Sequence, residues 1–452
     1  MHLRRCGSRS HLRRCGPAGG LIMAALRLPA ELWLRIFSYL SWKDKLRMRC
    51  TCSHFRSLLD ESSVSWQGFS VVLQDLSRYN RGFWRSLARW QVRVVWLRAG
   101  VKKDLKLLSS WLPLLDSLRL DRWTEREVRE LQVLVQLQRL SLTSSCMPLS
   151  RLDFLVPLSD QLTQLTLCKV QLTCPAAHLL AAVTQLRRLT SLQLHHDGSL
   201  RIRTLSGILS HLTRLRHLSW TMITYKTLPG DFFYPAHPPD GGAGLQLSHL
   251  QLLNYDAVVT QEVLQPLLRL QSLSVLHLYS VPGPNCHLRT WLTSLPELSS
   301  LSVHGGHPLA AYADFLPSSL LSLTLSVDLQ TEDLQVVSAR APNLEHLHLE
   351  PWGSSSSLIK LLPQLFPHLK TLAVRHHGVL EEDFLFLQEM KHLHTVEILD
   401  VYHRPNPKDP SWVLYESSPR LLQLIQKLQQ QTNHRVQVIT SSRRNTLSCD
   451  CI

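Results

Sequence analysis

From residue 92 onward the chain repeats one short phrase: an apolar residue, two of any kind, a second apolar residue, one of any kind, and a third apolar residue. The phrase opens at Val92/Val95/Leu97 and closes at Leu393/Val396/Ile398, with thirteen occurrences 22 to 27 residues apart and one exception. A spacing of two between the last two apolar positions puts both on one side of an extended strand, and the period leaves room for a return segment. Glu125–Val135, Ala176–Leu186 and Thr331–Ala339 are predicted to be helical return segments. No unit this short buries its own apolar side. Neighbours must stack, and the stack is expected to be one cooperative domain with special ends.

The pattern resembles leucine-rich repeats over about three hundred residues. The resemblance implies an α/β solenoid with parallel strands on a concave face and helices on a convex face, here preceded by a small all-α segment. The chain departs from the family three positions after the last strand leucine. Ser145, Val170, Asp197, Val281 and Gly306 stand where an Asn or Cys is expected, so irregular turns are predicted. The exception in spacing is the 32-residue step from Leu215 to Leu247, whose Pro- and Gly-rich insertion at 226–246 must be a surface loop. Its Phe232, Phe233 and Tyr234 either fold back on the solenoid or wait for a partner. Pro419–Thr432 has helical apolar spacing, and Val436/Val438 offer a last strand.

Upstream, residues 28–66 hold two apolar faces at helical spacing. Leu32, Trp33, Ile36, Phe37 and Leu40 follow Pro29, and Leu46, Cys50, Phe55 and Leu58 follow an S-x-x-D capping signal at Ser41 and Asp44. So short a segment cannot bury a sufficient core alone, and part of its surface should belong to a partner. It resembles the F-box, whose pattern is met by Leu28, Pro29, Glu31, Ile36, Phe37, Leu40, Asp44, Cys52, Phe55, Arg56 and Trp66; Phe55 stands where many members carry Trp. The resemblance implies docking on a Skp-type adaptor and, through it, on the cullin and RING subunits of an SCF ubiquitin ligase. Leu28, Pro29, Leu32, Ile36, Phe37 and Leu40 are expected to seat on that adaptor.

These readings divide the chain into a basic extension (1–22), the F-box (23–68), a helical linker (69–91), about thirteen repeats (92–418), a C-terminal cap (419–440) and a tail (441–452). The 452 residues include no apolar run of eighteen, the length a membrane span needs. Ten scattered cysteines without C-x-x-C pairing read as reduced thiols in a protein of the cytoplasm or nucleus. The net charge of +15 sits mostly in residues 1–27 and 69–106, with no nucleic-acid motif beside it. Arg78, Arg81, Arg85 and Arg89 are expected to form one solvated helix face beside Trp84 and Leu87. The acid-free first 22 residues faintly resemble a transit peptide and read better as a disordered extension. At the C-terminus, Cys449 lies four from the end, but Asp450 stands where a prenylation signal wants an aliphatic residue, so a lipid anchor there is not expected.

No phosphate-binding loop, dinucleotide fingerprint or nucleophile signature occurs, so neither catalysis by this chain nor a cofactor is expected. His346-x-His348-x-Glu350 is geometrically permissible for zinc but supplies no fourth ligand, and no metal is assigned. Threading the repeats puts His249, His277, Tyr279, His304, His346, His348, Arg375 and His376 on the concave side, with Trp352 just past its strand. Such an arc is expected to take a protein substrate, preferably an acidic or phosphorylated one, and to bind it more strongly as pH falls toward 6. Together the two resemblances imply a non-catalytic substrate receptor that holds a protein for ubiquitylation. The alternative is a repeat scaffold or inhibitor that binds proteins without ubiquitylation.

Overall fold

The computed structural model describes residues 28–98, 102–144, 148–195, 202–221, 227–234, 246–253, 258–276, 286–350, 358–375, 381–399 and 419–441. The chain divides into two compact units, 1–188 and 189–452.

The first unit begins with three helices, α1 (Ala30–Ser38), α2 (Trp42–Arg49) and α3 (Ser53–Glu61). Each has a local start signal. Pro29 precedes α1 with φ −54°, and its carbonyl accepts from the Leu32 and Trp33 N–H groups. Ser41 Oγ accepts from Asp44 N–H at 3.2 Å and donates to Asp44 Oδ2 at 2.6 Å, so the carboxylate closes the cap through the hydroxyl. Cys52 Sγ caps α3 by accepting from Phe55 N–H.

Five parallel strands follow: β1 (Ser70–Gln74), β2 (Val94–Arg98), β3 (Ser117–Asp121), β4 (Arg139–Thr143) and β5 (Gln164–Cys168). The first lies inside the segment expected to be a helical linker. The sequence hid it because Gly68, at φ +74°, replaces the leading leucine of the phrase, while Val71 and Leu73 turn inward and pair with Val95 and Leu97. The rest of that segment is helical. In α4 (Arg81–Arg89), capped by Asn80, Trp84 and Leu87 are buried and Arg81, Arg85 and Arg89 are exposed, whereas Arg78, expected on the same helix face, lies before it in the 3-10 turn Leu76–Arg78 and pairs with Asp75.

The second unit carries β6 (Ser191–His195), β7 (His217–Thr221), β8 (His249–Leu253), β9 (Ser272–Leu276), β10 (Ser300–His304), β11 (Ser322–Ser326), β12 (His346–Leu349), β13 (Thr371–Arg375), β14 (Thr395–Leu399) and β15 (Gln437–Ser441). The fold is a leucine-rich-repeat solenoid. Pairing is parallel and in one register, so that Leu301, Leu323, Leu347 and Leu372 are lateral neighbours and all are buried. Each such leucine removed from water contributes about 2 kcal/mol. The predicted return helices are present as Glu125–Val128 continued by a 3-10 turn, Ala176–Thr184 and Thr331–Arg340. The C-terminal helix Pro419–Gln431 and β15, paired with β14, match the expected cap.

Without the family asparagine, the backbone ties the turns. Arg122, Ser144 and Gly305, each just past a strand, have φ of 57°, 50° and 72°. Their N–H groups donate to Thr143, Cys168 and Ser326 carbonyls at the end of the next strand. The 226–246 insertion leaves β7 and β8 directly paired, and its aromatics resolve the alternative left open by the sequence. Phe232 and Phe233 are fully buried against Trp220, at 5.6 and 6.3 Å between ring centroids, while Tyr234 stays exposed. Cys50, Cys52, Cys174 and Cys286 are free thiols. Cys168 is disulfide-bonded, which corrects the expectation that every thiol is reduced. Residues 1–22 and the Cys449 tail lie outside the described residues.

Candidate functional site: two exposed surfaces

On α1 two stripes lie side by side. Trp33 and Phe37 face inward and meet Phe55 of α3, with centroid distances of 4.6 Å (Trp33–Phe55) and 5.3 Å (Phe37–Phe55). Phe37 is wholly buried, so it cannot seat on an adaptor as expected; it belongs to the small core beneath that surface. The outward stripe holds Leu28, Leu32 and Ile36, which are 39%, 46% and 42% exposed, beside exposed Pro29 and half-buried Leu40. Tyr39, 80% exposed, extends the stripe. The sequence reading missed it, although Leu32, Ile36 and Tyr39 follow the i, i+4, i+7 spacing of one helix face. An apolar patch of this kind on a domain whose core is already closed marks an interaction surface.

The domain is fixed to the first strands through Asp60. Its carboxylate accepts from Arg49 Nε at 2.6 Å and Nη2 at 2.9 Å and from Trp90 Nε1 at 3.0 Å. Burial pushes the Asp60 carboxyl up, but these hydrogen bonds and the Arg49 charge outweigh it and hold the group below its usual value. Trp66 stacks on Trp90 at 4.2 Å and donates Nε1–H to the Leu59 carbonyl.

The second surface is the strand face of the second unit. His277, Tyr279, Trp352 and His376 lie outside the described residues. His249 is exposed at β8 and stacks on His217 at 4.2 Å; burial lowers the pKa of both rings. His346 is exposed and bonds Thr371 Oγ1 at 2.6 Å. The other predicted residues are less available. His304 is 2% exposed and in contact with Ser302 Oγ at 2.9 Å, and its Nδ1 has no hydrogen-bond partner among the described residues. Burial, with His348 beside it and despite Glu350, lowers its pKa to about 4, so it is neutral near pH 7. Glu350, 5% exposed, accepts from His348 Nε2 at 2.8 Å and from both Nε and Nη2 of Arg375. Burial alone would raise its pKa, but those two partners keep the carboxyl below the usual value. The arginine and two of the histidines expected to make this arc basic are thus either neutral or turned toward a buried carboxylate.

Between β11 and β14 the face opens into a cleft of about 290 Å³ lined by Ser322, Thr324, His346, His348, Thr371, Ala373, Thr395 and Glu397, with the strand leucines behind. Its floor is small hydroxyls. The first unit has a different face, where the Trp96 ring lies 4.4 Å from the Arg98 guanidinium and 4.1 Å from that of Arg119. The sequence reading did not single these out, since it threaded concave positions only from the fifth repeat on. Among the described residues no group of three His, Cys, Asp or Glu is arranged to hold a metal ion, and no helix is long and apolar enough to cross a membrane.

Residues 25–70 match the F-box-like family model, so the chain carries an F-box-like domain ahead of its leucine-rich repeats. No curated protein matches the chain. Among solved structures, the leucine-rich-repeat-containing protein LegL7 from Legionella pneumophila is similar at 17% identity and a TM-score of 0.39, covering 57% of this chain and 90% of that one. A yeast structure of the Rad7 and Elc1 complex is similar at 16% identity and a TM-score of 0.41, covering 82% of this chain and 96% of the matched one. Likenesses of this size carry no shared partner or activity.

Proposed function

We propose that this chain is the substrate-recognition subunit of an SCF ubiquitin ligase: the F-box-like domain docks on a Skp-type adaptor, and the repeats hold a protein substrate. The observation that supports the docking half is the exposed stripe of Leu28, Pro29, Leu32, Ile36 and Tyr39 over a core already closed by Trp33, Phe37 and Phe55. The substrate half rests on the open strand face, with His249, His346 and His348 among its lining. Chemistry belongs to the partners; the receptor acts by raising the local concentration of substrate lysines near the charged enzyme.

The test is co-purification of the adaptor with Leu32→Ala/Ile36→Ala. Two apolar anchors at the centre of an interface cost about 2 kcal/mol each, on the order of a thousandfold in affinity if they add. Retained adaptor binding by a folded double variant would remove the assignment. Adaptor binding without ubiquitylation of any captured protein would favour a scaffold.

A further inference from the structure

From β10 to β14 the described residues of the strand face present less positive charge than the count of histidines and arginines suggests. Across β10 to β14 the strand positions on this face hold Ser300, Ser302 and His304, then Ser322, Thr324 and Ser326, then His346 and His348 with Glu350 just beyond, then Thr371, Ala373 and Arg375, and finally Thr395, Glu397 and Leu399. Arg375 and Glu350 neutralise each other in a close pair. His304 is sealed among Ser302, His348 and Glu350. Glu397 is different: it is half-exposed in the wall of the cleft and makes no hydrogen bond or ion pair among the described residues. Among the described residues that line the cleft, Glu397 is the one unpaired formal charge, histidines counted as neutral.

The surroundings of Glu397 suit a long cationic side chain. Ala373 is its neighbour in register on β13, and Ile439, 39% exposed, is its neighbour on β15. Apolar groups on both sides of a carboxylate fit a side chain whose methylenes need cover and whose head needs an anion. The hydroxyls of Ser322, Thr324, Thr371 and Thr395 are short enough to let a peptide backbone approach and can donate to or accept from it.

We propose that this cleft binds a lysine- or arginine-bearing segment of a partner protein, with the cationic head on Glu397 and the stem between Ala373 and Ile439. The inference deepens the receptor reading by naming the chemistry of the segment held, and it reverses the acidic preference expected from the histidine count.

The test uses the full chain bound to its adaptor and four fluorescein-labelled decapeptides that alternate Gly with Lys, Arg, Glu or Gln, followed by anisotropy at physiological salt. The whole chain carries +15, so bulk electrostatics favours the Glu peptide and only a local site selects a basic one. The Lys or Arg peptide is expected to bind more tightly than the Glu and Gln peptides. Glu397→Gln should weaken it about tenfold, and Glu397→Lys should invert the preference. Ala373→Leu, which fills the cleft without touching charge, should weaken it as well. Equal or tighter binding of the Glu peptide, an unchanged affinity in Glu397→Gln, or no binding of either basic peptide at millimolar concentration would overturn the proposal. Adaptor co-purification is a separate readout: if it persists while peptide binding fails, the cleft assignment is lost and the receptor reading stands.

Discussion

Ile36 and Phe37 are adjacent on α1 and face opposite ways, which makes them separable by experiment. Phe37→Ala leaves a cavity between Trp33 and Phe55 and should lower the stability of the F-box-like domain by about 3–5 kcal/mol, read by denaturant unfolding followed through Trp33 fluorescence. Ile36→Ala changes a half-exposed side chain and should shift that transition by less than about 1 kcal/mol. Equal losses would mean that the outward stripe is part of the core. His304 sets a pH dependence of known sign. Its pKa falls from 6.5 to about 4 on folding, so between those values the unfolded chain binds more protons. Stability from this site is complete above pH 6.5 and declines as pH falls toward 4, by about 3 kcal/mol in all. His304→Gln should flatten that part of the stability–pH curve of the second unit; a curve that keeps its slope would show that another group titrates there.

At the scale of elements, the insertion is a structural component. Phe232 and Phe233 lie on Trp220, which stands where neighbouring strands place Leu194 and Leu252, and Phe233 also meets Trp291 of the helix Leu288–Ser294 edge to face at 6.4 Å. Phe233→Ala should cost about 3–5 kcal/mol in denaturant unfolding, and Tyr234→Ala, on an exposed ring, little. Comparable small effects would mean that the insertion is not held by its aromatics. The strand β1 makes the complementary point: an alternation of Val71 and Leu73 was visible, but a glycine in the leading position concealed its membership of the array.

Over the whole molecule, the excess positive charge is predicted not to form a sequence-selective nucleic-acid site. Trp84 and Leu87 turn α4 so that Arg81, Arg85 and Arg89 face solvent, with Arg89 3.9 Å from Asp60. Binding of RNA or DNA should be non-selective and fall steeply between low and physiological salt, as contacts made only to phosphates do. A gel-shift or anisotropy titration showing sequence preference at physiological salt would contradict this.

The repeat, its register, the starts of the first two N-terminal helices at Pro29 and Ser41 and the last helix and strand were legible in the sequence, because each depends on spacing and on local hydrogen bonds that a few residues specify; the break at residues 50–52 that divides the expected second helix into α2 and α3 was not. What the sequence could not decide was which of two apolar stripes on α1 turns inward, whether Phe232 and Phe233 fold back, and what charge the strand face presents. Burial by other segments decides the first two. The third follows from pairs such as Glu350 with Arg375, 25 residues apart, and from the desolvation of His304, which leave Glu397 as the unpaired formal charge among the described residues of the cleft.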